Sequence, residues 1–316
     1  MNYKNSVVRH LAWCLLSEPL HVIPNVTPLV IKPSQTLQDW LGQLDDQPEP
    51  LHNYISGQNS TLLGSYFECL WQFFFTHYPD WTLLGHHIQI QQGKQTLGEL
   101  DILAQETANR HNFHVELAVK FYLKTPHTSG EKQAHWLGPQ SRDRLDLKLE
   151  KLTKKQLPFF HHDATQHELK SRHLPTDAKQ ALVLKGYLFE PFKQNHIADQ
   201  ATPFPSINSG TQTHHWLHYK DSQALFLDDK QWVILPKHQW LGPYQHTKDC
   251  DLTVLNTAQA KQQVDDHFNH AVFPFALMLV MLCGTQQLKE RTRYMLVHDD
   301  WPKQANKRPT RENQAD

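Results

Sequence analysis

The sequence predicts a mixed α/β protein in which helices cover a central sheet. A strongly apolar helix over residues 63–75 precedes three consecutive extended segments, and an amphipathic helix and another apolar strand follow them. The predicted order is helix, three strands, helix, strand. Strands this apolar need cover, so we expect a mixed sheet flanked by helices, with an N-terminal helical addition and a C-terminal α+β addition.

The N-terminal segment predicts one amphipathic helix followed by an extended connector. The apolar residues at helical spacing are Val8, Leu11, Ala12 and Leu15. This helix must end before Pro19, and residues 24–33, bounded by prolines, predict an extended connector. We assign residues 1–59 to an N-terminal helical extension.

The next helix carries an acidic residue within an apolar surface. Ser60 or Thr61 is placed to cap this helix, and Glu68 lies inside a stripe so wide that almost the whole helix must be buried. The stripe contains Leu63, Phe67, Leu70 and Phe74, with Trp71, Phe73 and Phe75 beside them. A buried carboxylate needs a partner, which a histidine, a lysine or a metal ion would each provide.

The change from helical to extended pattern after Pro79 begins the predicted sheet. Three strands are predicted at residues 81–91, 96–105 and 112–124. Residues 142–160 return to helical spacing, and residues 181–189 predict a fourth strand. These elements complete a core that we assign to residues 60–192.

The C-terminal region predicts further strands and one long helix. Strands are predicted at residues 215–219, 224–227, 231–235 and 293–297. A helix is predicted from Ala258 into the apolar run at residues 271–283. We assign residues 193–302 to an α+β part packed on the core, and we predict that the polar residues 303–316 are disordered.

Composition limits the possible partners. The 316 residues include 31 Lys and Arg against 32 Asp and Glu, so a nucleic-acid contact must come from a local basic patch. The longest apolar run contains a proline and falls short of the ~20 residues of a membrane span, so we expect no membrane partner. The four cysteines form no C-x-x-C pair and no signal peptide is evident, which predicts a cytoplasmic protein. No motif indicates a small-molecule cofactor.

The 23 histidines do not by themselves predict a metal site. Several occur as adjacent pairs, such as His86 and His87, and adjacent side chains point to opposite faces of a strand. We therefore expect no dedicated histidine metal site.

Acidic side chains on two adjacent strands form the candidate site. Residues two apart on a strand share a face, so Glu99 projects with Asp101, and Glu116 with Lys120 on the next strand. Carboxylates on strands this apolar would be costly without compensation and would take up a proton or bind a cation.

Asp101 and Glu116 together predict a site for Mg²⁺ or Mn²⁺. Mg²⁺ keeps several waters and needs only one or two protein carboxylates beside a substrate phosphate. Such an ion would polarise a phosphodiester, and a nearby ammonium would stabilise the transition state. The alternative is a pair of carboxylates hydrogen-bonded to backbone or to arginine. Glu68 could join them as a third acid, whereas Glu99 is more simply explained as solvated.

Several segments resemble a known bacterial family. They are GSYFECLW, TLGELDIL, HVELAVKFYL, WLGPQSRDRLDLKLEKL, GYLFEP, VVRHLAWCLLSEPL and RYMLVHDDWP. The family is the domain of unknown function DUF1853, which has been placed by similarity in the PD-(D/E)XK nuclease-like superfamily, and the resemblance spans most of the chain. It implies a restriction-endonuclease-like core with the element order given above, in which Asp101 and Glu116 are metal ligands.

The resemblance also implies a lysine two residues after the glutamate, where this sequence has Ala118. Lys120 is the nearest lysine on that face, but four residues of strand span ~13 Å, against ~7 Å for two. Lys120 is the candidate stabiliser. A lysine that has moved to the following helix, with Lys148 the best candidate, is an alternative, and loss of the chemistry is a third.

The charged start of the following helix is a candidate phosphate site. Its amides could hold a phosphate, and Arg142 and Arg144 could bind that phosphate bidentately, with Lys148 nearby. A solvated face with pairs four residues apart is the alternative.

Two functions are consistent with these residues. The first is Mg²⁺-dependent hydrolysis of phosphodiesters in nucleic acid, with Asp101 and Glu116 as ligands, Lys120 as stabiliser and Glu68 as accessory acid. The second is a catalytically inactive nucleic-acid-binding or protein-interaction module that retains the fold.

Overall fold

In the computed structural model, strand pairing builds one ten-stranded mixed sheet. The model describes residues 3–57, 60, 62–126, 132–193, 214–247, 252–270 and 275–303. The strands are β1 (Trp81–Gln92), β2 (Gln95–Glu106), β3 (Asn112–Lys124), β4 (Trp136–Leu137), β5 (Lys179–Pro191), β6 (His214–His218), β7 (Gln231–Leu235), β8 (Leu255–Asn256), β9 (Leu277–Cys283) and β10 (Lys289–Val297). Their order is β1-β2-β3-β5-β6-β10-β9-β7-β8, and β4 pairs with the end of β3.

The helices occur before, within and after this series of strands. They are α1 (Ser6–Leu16), α2 (Gln35–Asp46), α3 (Glu49–Ser56), α4 (Leu63–His77), α5 (Leu145–Lys151), α6 (Leu157–Phe159), α7 (Asp163–Ser171) and α8 (Thr257–His270). Short 3-10 helices cover Gln133–His135, Tyr219–Phe226 and Lys237–Gln239.

The middle of the sheet is parallel and its two margins are antiparallel. Strands β3, β5, β6 and β10 run parallel to one another, while β1 and β2 at one margin and β9, β7 and β8 at the other are antiparallel to their neighbours. Parallel strands are normally covered on both faces, which accounts for the nearly continuous apolar character of β3 and β5. The C-terminal strands extend the same sheet that begins with β1.

Helices α1 to α4 pack in one large hydrophobic cluster with one face of the sheet. On α4, Phe67, Leu70 and Phe74 are at most 1% exposed, and they share this cluster with Ile102 of β2 and Val115 of β3. Burial of a side chain of this size contributes roughly 1.5–3 kcal/mol. Packing against the sheet therefore dominates the stability of α4.

The N-terminus of α4 differs from the prediction. Its N-cap is Leu62, which provides no side-chain hydrogen bond, and the Ser60 hydroxyl accepts a hydrogen bond from the Leu62 N–H at 3.3 Å instead of capping the helix. The other predicted cap, Thr61, lies outside the described residues.

The remaining helices pack on the opposite face. Alternate residues of β3 separate the two sides, because Leu117 belongs to the cluster of α1 to α4 while Ala118 and Tyr122 pack with Leu145 and Leu149 of α5. This places α5 over the same face of β3 from which Glu116 projects.

Several predicted elements are confirmed and two are wrong. Strands β1, β2, β3, β5 and β7 and helices α1 and α4 lie where the apolar patterns placed them. The strand predicted at residues 224–227 is instead the end of a 3-10 helix. The helix predicted to enter the apolar run is described as far as His270. Residues 277–283 of that run form β9 between β10 and β7, because a short continuous apolar run fits a buried strand as well as a helix. The loop predicted up to residue 212 and the tail beyond residue 303 lie outside the described residues.

The helix predicted at residues 142–160 is interrupted by a π turn. Helix α5 ends at Lys151, Leu152–Gln156 is π-helical, and α6 follows with Pro158 in its first turn. Pro158 has no N–H and crowds the preceding turn, which favours a wider turn ahead of it. The Gln156 amide reaches Glu116 of β3 at 2.6 Å from this turn.

The predicted connector at residues 24–33 forms hydrogen bonds with β5 at Leu182. Leu29 donates its N–H to the carbonyl of Leu182, and the Leu182 N–H is accepted by the carbonyl of Thr27, both at 3.0 Å. Because β6 pairs only with the last residues of β5, this connector supplies backbone partners to the earlier part of that strand.

Gly186 of β5 occupies a position that tolerates no side chain. Its φ is 141°, and a Cβ there would lie 1.6 Å from the carbonyl oxygen of Lys120 on β3. We expect Gly186→Ala to lower the free energy of unfolding by roughly 3 kcal/mol or more, because the two strands would have to separate. Urea denaturation followed by circular dichroism measures this change. The control is Gly42→Ala, whose Cβ enters open space within α2, so it should raise the free energy of unfolding by roughly 0.5–1 kcal/mol. Equal losses in both variants would contradict the close approach of β5 to β3 at Gly186.

Candidate active site

Asp101 and Glu116 lie where β2 and β3 stop pairing. The ladder between these strands ends with Ile102 opposite Val115, so Asp101 and Glu116 are the next residues on each strand. Beyond that point the Leu117 N–H donates to Asp101 Oδ2 at 2.8 Å. A side-chain carboxylate thus takes the place of a backbone acceptor and is fixed beside the neighbouring strand.

Glu116 is fully buried and has a partner on each carboxylate oxygen. Gln156 Nε2 donates to Oε2 at 2.6 Å, and His114 Nε2 lies 3.1 Å from Oε1. With Nε2 as donor, the neutral His114 ring has only an acceptor at Nδ1, which has no partner among the described residues. The ring stacks on Phe160 at 5.2 Å between centroids, so Glu116 is held from two sides.

Lys148 of α5 approaches the two acids through Gln156. Its Nζ donates to Gln156 Oε1 at 3.1 Å, and the same amide donates to Glu116. Burial lowers the pKa of Lys148 and the ammonium groups of Lys120 and Lys151 lower it further, while the charges of Glu116 and Asp101 oppose this shift. Lys148 is therefore a half-buried cation next to the carboxylate pair.

Burial and the neighbouring Glu116 destabilise the charge of Asp101. Burial raises the pKa of Asp101 from 3.8 to about 7, and the neighbouring Glu116 charge is the second cause. Glu68 contributes in the same direction, whereas the Leu117 N–H and Lys148 oppose the shift. Asp101 therefore tends to keep its proton to near neutral pH unless a cation takes the place of that proton.

Glu68 and Glu99 meet at His87 of β1, a residue that the sequence did not identify. His87 Nδ1 lies 2.8 Å from Glu99 Oε1, and its Nε2 lies 3.7 Å from Glu68 Oε2. Burial raises the pKa of Glu68, as do the charges of Glu99 and Glu116, against the opposing effect of His87. Glu68 thus lies within electrostatic reach of both His87 and the buried pair.

The other predicted residues make no contact with the pair among those described, and two of them have acidic partners of their own. Lys120 Nζ donates to Asp143 Oδ2 at 2.7 Å, and the Arg144 guanidinium makes two hydrogen bonds to Asp146, at 2.6 and 3.0 Å. Arg142 is exposed.

His114 and Gln156 are the remaining site residues that were not predicted. His114 is two residues before Glu116 and therefore shares its face of β3, a spacing that could have identified it. Gln156 had no such signal, because its position depends on the π turn.

Two further findings concern the described part of the chain as a whole. No group of three or more His, Cys, Asp or Glu residues there is arranged to hold a metal ion. No helix there combines the length and the apolar composition needed to cross a membrane.

The fold and the site define a mixed α/β protein with a carboxylate pair where two antiparallel strands separate. The chain belongs to the family described as domain of unknown function DUF1853, whose model matches residues 9–297. This match includes all of the site residues described above. No curated protein and no solved structure matches the chain.

Asp101→Asn should remove a pH-dependent loss of stability. Folded Asp101 keeps its proton up to about pH 7, whereas the unfolded chain releases it at roughly pH 4, so the folded state is favoured at low pH and loses this advantage as pH rises through this window. Relative to the wild type, the variant should gain roughly 2–3 kcal/mol in free energy of unfolding between pH 5 and pH 8.

Urea denaturation at the two pH values measures this difference. The control is Asp229→Asn, which changes an exposed acid and should leave the pH dependence as it is in the wild type. If the free energy of unfolding depends on pH in the same way in both variants, the pKa of Asp101 in the folded protein is not raised.

Proposed function

We propose that this protein hydrolyses phosphodiester bonds of nucleic acid with a divalent metal ion at Asp101 and Glu116, on a restriction-endonuclease-like core. The element order supports this core, since α4, β1, β2, β3, the interrupted helix from α5 and β5 follow the order helix, three strands, helix, strand. The two acids lie on the second and third of these strands, as the resemblance to PD-(D/E)XK proteins implies.

The observation that carries the proposal is the mutual repulsion of the two acids. Glu116 is completely enclosed, and Asp101 beside it has a pKa of about 7. Two like charges that are buried side by side destabilise the folded protein. A divalent cation would turn this repulsion into attraction, which is a reason for a chain to retain the pair.

The donors present fit Mg²⁺ or Mn²⁺. Both acids offer oxygen atoms, and each engaged oxygen has a second lone pair, so Asp101 and Glu116 can hold an ion that takes its remaining ligands from water and phosphate. When bound, the ion would polarise the phosphodiester and lower the pKa of a coordinated water. His114 and Gln156 fix the Glu116 carboxylate, and the Leu117 N–H fixes that of Asp101.

Lys148 is assigned the role of the missing lysine. Ala118 occupies the usual position and is buried, and the Lys120 ammonium is bound to Asp143. Lys148 is linked to Glu116 through Gln156 and is electrostatically coupled to both acids. Its charge would stabilise the negative charge that develops on the phosphoryl oxygens.

Basic side chains on and beside the helix that carries Lys148 favour a polyanionic substrate. Lys151 and Lys155, on α5 and on the π turn after it, are exposed, and Arg142 precedes α5. The net charge of −1 gives no attraction over the whole molecule, so this local patch would supply the phosphate contacts. Arg142 and Lys148 are the better candidates, because Arg144 is already paired with Asp146.

The second candidate function is a binding module without catalysis. Ala118 at the usual lysine position favours it, as does the engagement of both Glu116 oxygens by protein donors. Such a module would bind nucleic acid through the same basic patch, or bind another protein, and would tolerate loss of the acids.

Metal binding and cleavage separate the two functions. Mg²⁺ or Mn²⁺ should raise the melting temperature of the wild type, with about 2.7 kcal/mol of stabilisation at a metal concentration of 100 times its dissociation constant. Asp101→Asn should abolish this effect and lower the cleavage rate of labelled DNA and RNA oligonucleotides by at least roughly 10²-fold. Oligonucleotide binding without cleavage, unaffected by metal and by this substitution, would support the binding module.

Lys148→Met and Lys120→Met should differ in their effect on cleavage. The first removes the cation coupled to both acids and should lower kcat roughly 10²-fold or more, while the second removes a partly exposed ion pair and should change kcat only a few-fold. Single-turnover cleavage at saturating Mg²⁺ measures both variants. A larger loss from Lys120→Met would return the stabilising role to Lys120.

A further inference from the structure

A cavity lies where β7 and β9 stop pairing, beside α8. Its volume is about 440 Å³, within the range of roughly 300–1,000 Å³ that small-molecule sites occupy. The pairing of these strands ends with Leu235 opposite Met278, and Pro236 follows, which has no N–H to continue it. The two strands therefore separate, and the space between them is open to a ligand.

This cavity is separate from the carboxylate pair. Strand β7 is the fifth strand after β3 in the order of the sheet, which corresponds to ~24 Å at ~4.8 Å per strand. The residues described around Asp101 and Glu116 do not line the cavity. A ligand bound there would therefore take no part in the hydrolysis proposed above.

The inner wall of the cavity is apolar and fixed in place. Leu235, Trp240, Ala276 and Leu277 line it, and each is at most 8% exposed. Trp240 Nε1 donates to the Leu235 carbonyl at 2.9 Å, and Arg293 Nη1 donates to the Trp240 carbonyl at 2.9 Å. Because the indole N–H already has a partner, this wall offers a ligand an apolar surface.

The mouth of the cavity carries a cation. Lys237 lies on the 3-10 helix after β7, and its Nζ is 5.3 Å from the centroid of the Phe275 ring. The face of an aromatic ring attracts an ammonium group, which limits the positions of the lysine. Phe275 is held in turn, since His267 Nε2 donates to its carbonyl at 2.8 Å.

The charge at this mouth is not balanced by the protein. Among the described residues that line the cavity there is no Asp or Glu, and Lys237 makes no ion pair with any described residue. Thr253 and Gln263 are exposed at the lining and add neutral hydrogen-bond donors. An anionic group is therefore the complement of this mouth.

The kind of anion follows from the number of charges. A phosphate group carries nearly two negative charges at pH 7 and is commonly bound by arginine forks or by helix N-termini. No arginine is present among the described lining residues, which offer the single ammonium of Lys237. A carboxylate carries one charge and matches that ammonium.

We propose that this cavity binds an organic monocarboxylate with an apolar body. The hydrocarbon part packs against Leu235, Trp240 and Leu277, and the carboxylate pairs with the Lys237 ammonium. Burial of the hydrocarbon supplies the affinity, and the ion pair sets the orientation of the ligand.

Calorimetric titration of the full chain with three ten-carbon probes tests the charge preference. Decanoate should bind roughly 10-fold more tightly than decan-1-ol, because it gains a hydrogen bond between charged groups, and decylammonium should bind more weakly than both. Octanoate, with two fewer CH₂ groups, should bind roughly 15-fold more weakly than decanoate. Equal affinities for the three ten-carbon probes would overturn the proposal.

Replacement of Lys237 tests the assigned cation. Lys237 is exposed, so Lys237→Met should fold as the wild type does, which circular dichroism checks. This variant should lose roughly 10-fold in affinity for decanoate and change by less than about threefold for decan-1-ol. The control is Lys230→Met, which removes a lysine paired with Asp228 at the other end of β7 and should leave both affinities unchanged. An unchanged decanoate affinity in Lys237→Met would overturn the proposal.

Methyl NMR of the isoleucine side chains locates the probe. Decanoate should shift the signal of Ile234, which lines the cavity, and leave that of Ile102, which follows Asp101 on β2, unchanged. A shift of Ile102 without one of Ile234 would contradict the assignment. Adenosine monophosphate should bind more weakly than decanoate, and tighter binding of this nucleotide would replace the carboxylate by a nucleotide as the ligand.

The outcomes are independent of the proposed hydrolysis. Asp101→Asn should bind decanoate as the wild type does, because five strand spacings separate it from the cavity. If decanoate does not bind, this inference is wrong and the metal-dependent function is unaffected. If metal does not bind while decanoate does, the proposed function is wrong and this inference stands.

Discussion

One hydrogen bond, from the Leu117 N–H to the Asp101 carboxylate, marks the place on which the candidate site depends. Strands β2 and β3 stop pairing there, and Glu116 of β3 projects from the face of the sheet that α5 covers. Helix packing on both faces keeps most water away from these acids. Burying two like charges is costly, so either a proton or a cation must neutralise part of their charge. The packing of the sheet and helices therefore determines the chemistry that these acids can perform.

The groups around the pair divide into a sealed side and an open side. On the sealed side, His114 and Gln156 hold Glu116, and the Gln156 amide also accepts from Lys148. On the open side, His87 lies between Glu68 and Glu99 within reach of solvent. The site therefore combines an enclosed side that fixes the Glu116 carboxylate with an exposed side that water can reach.

The extent to which the sequence predicted the fold follows the length and regularity of each apolar pattern. Strand β3 and helix α4 were identified because their apolar faces are long and interrupted mainly by Glu116 and Glu68. The apolar run that forms β9 was assigned to a helix, because periodicity does not distinguish a short buried strand from a helix. The π turn before Pro158 was missed because it depends on the balance between a proline and the packing around it.

The sequence by itself determined which acids could form a site, since side chains two apart on a strand share a face and Asp101 and Glu116 lie on adjacent apolar strands. Only the tertiary structure decided which other groups reach them. The sequence offered both Lys120 and Lys148, and the fold links Lys148 to Glu116 through Gln156, which the π turn positions, while His87 of β1 meets Glu68 and Glu99. None of these is encoded in local periodicity, because each results from long-range packing that places distant segments side by side.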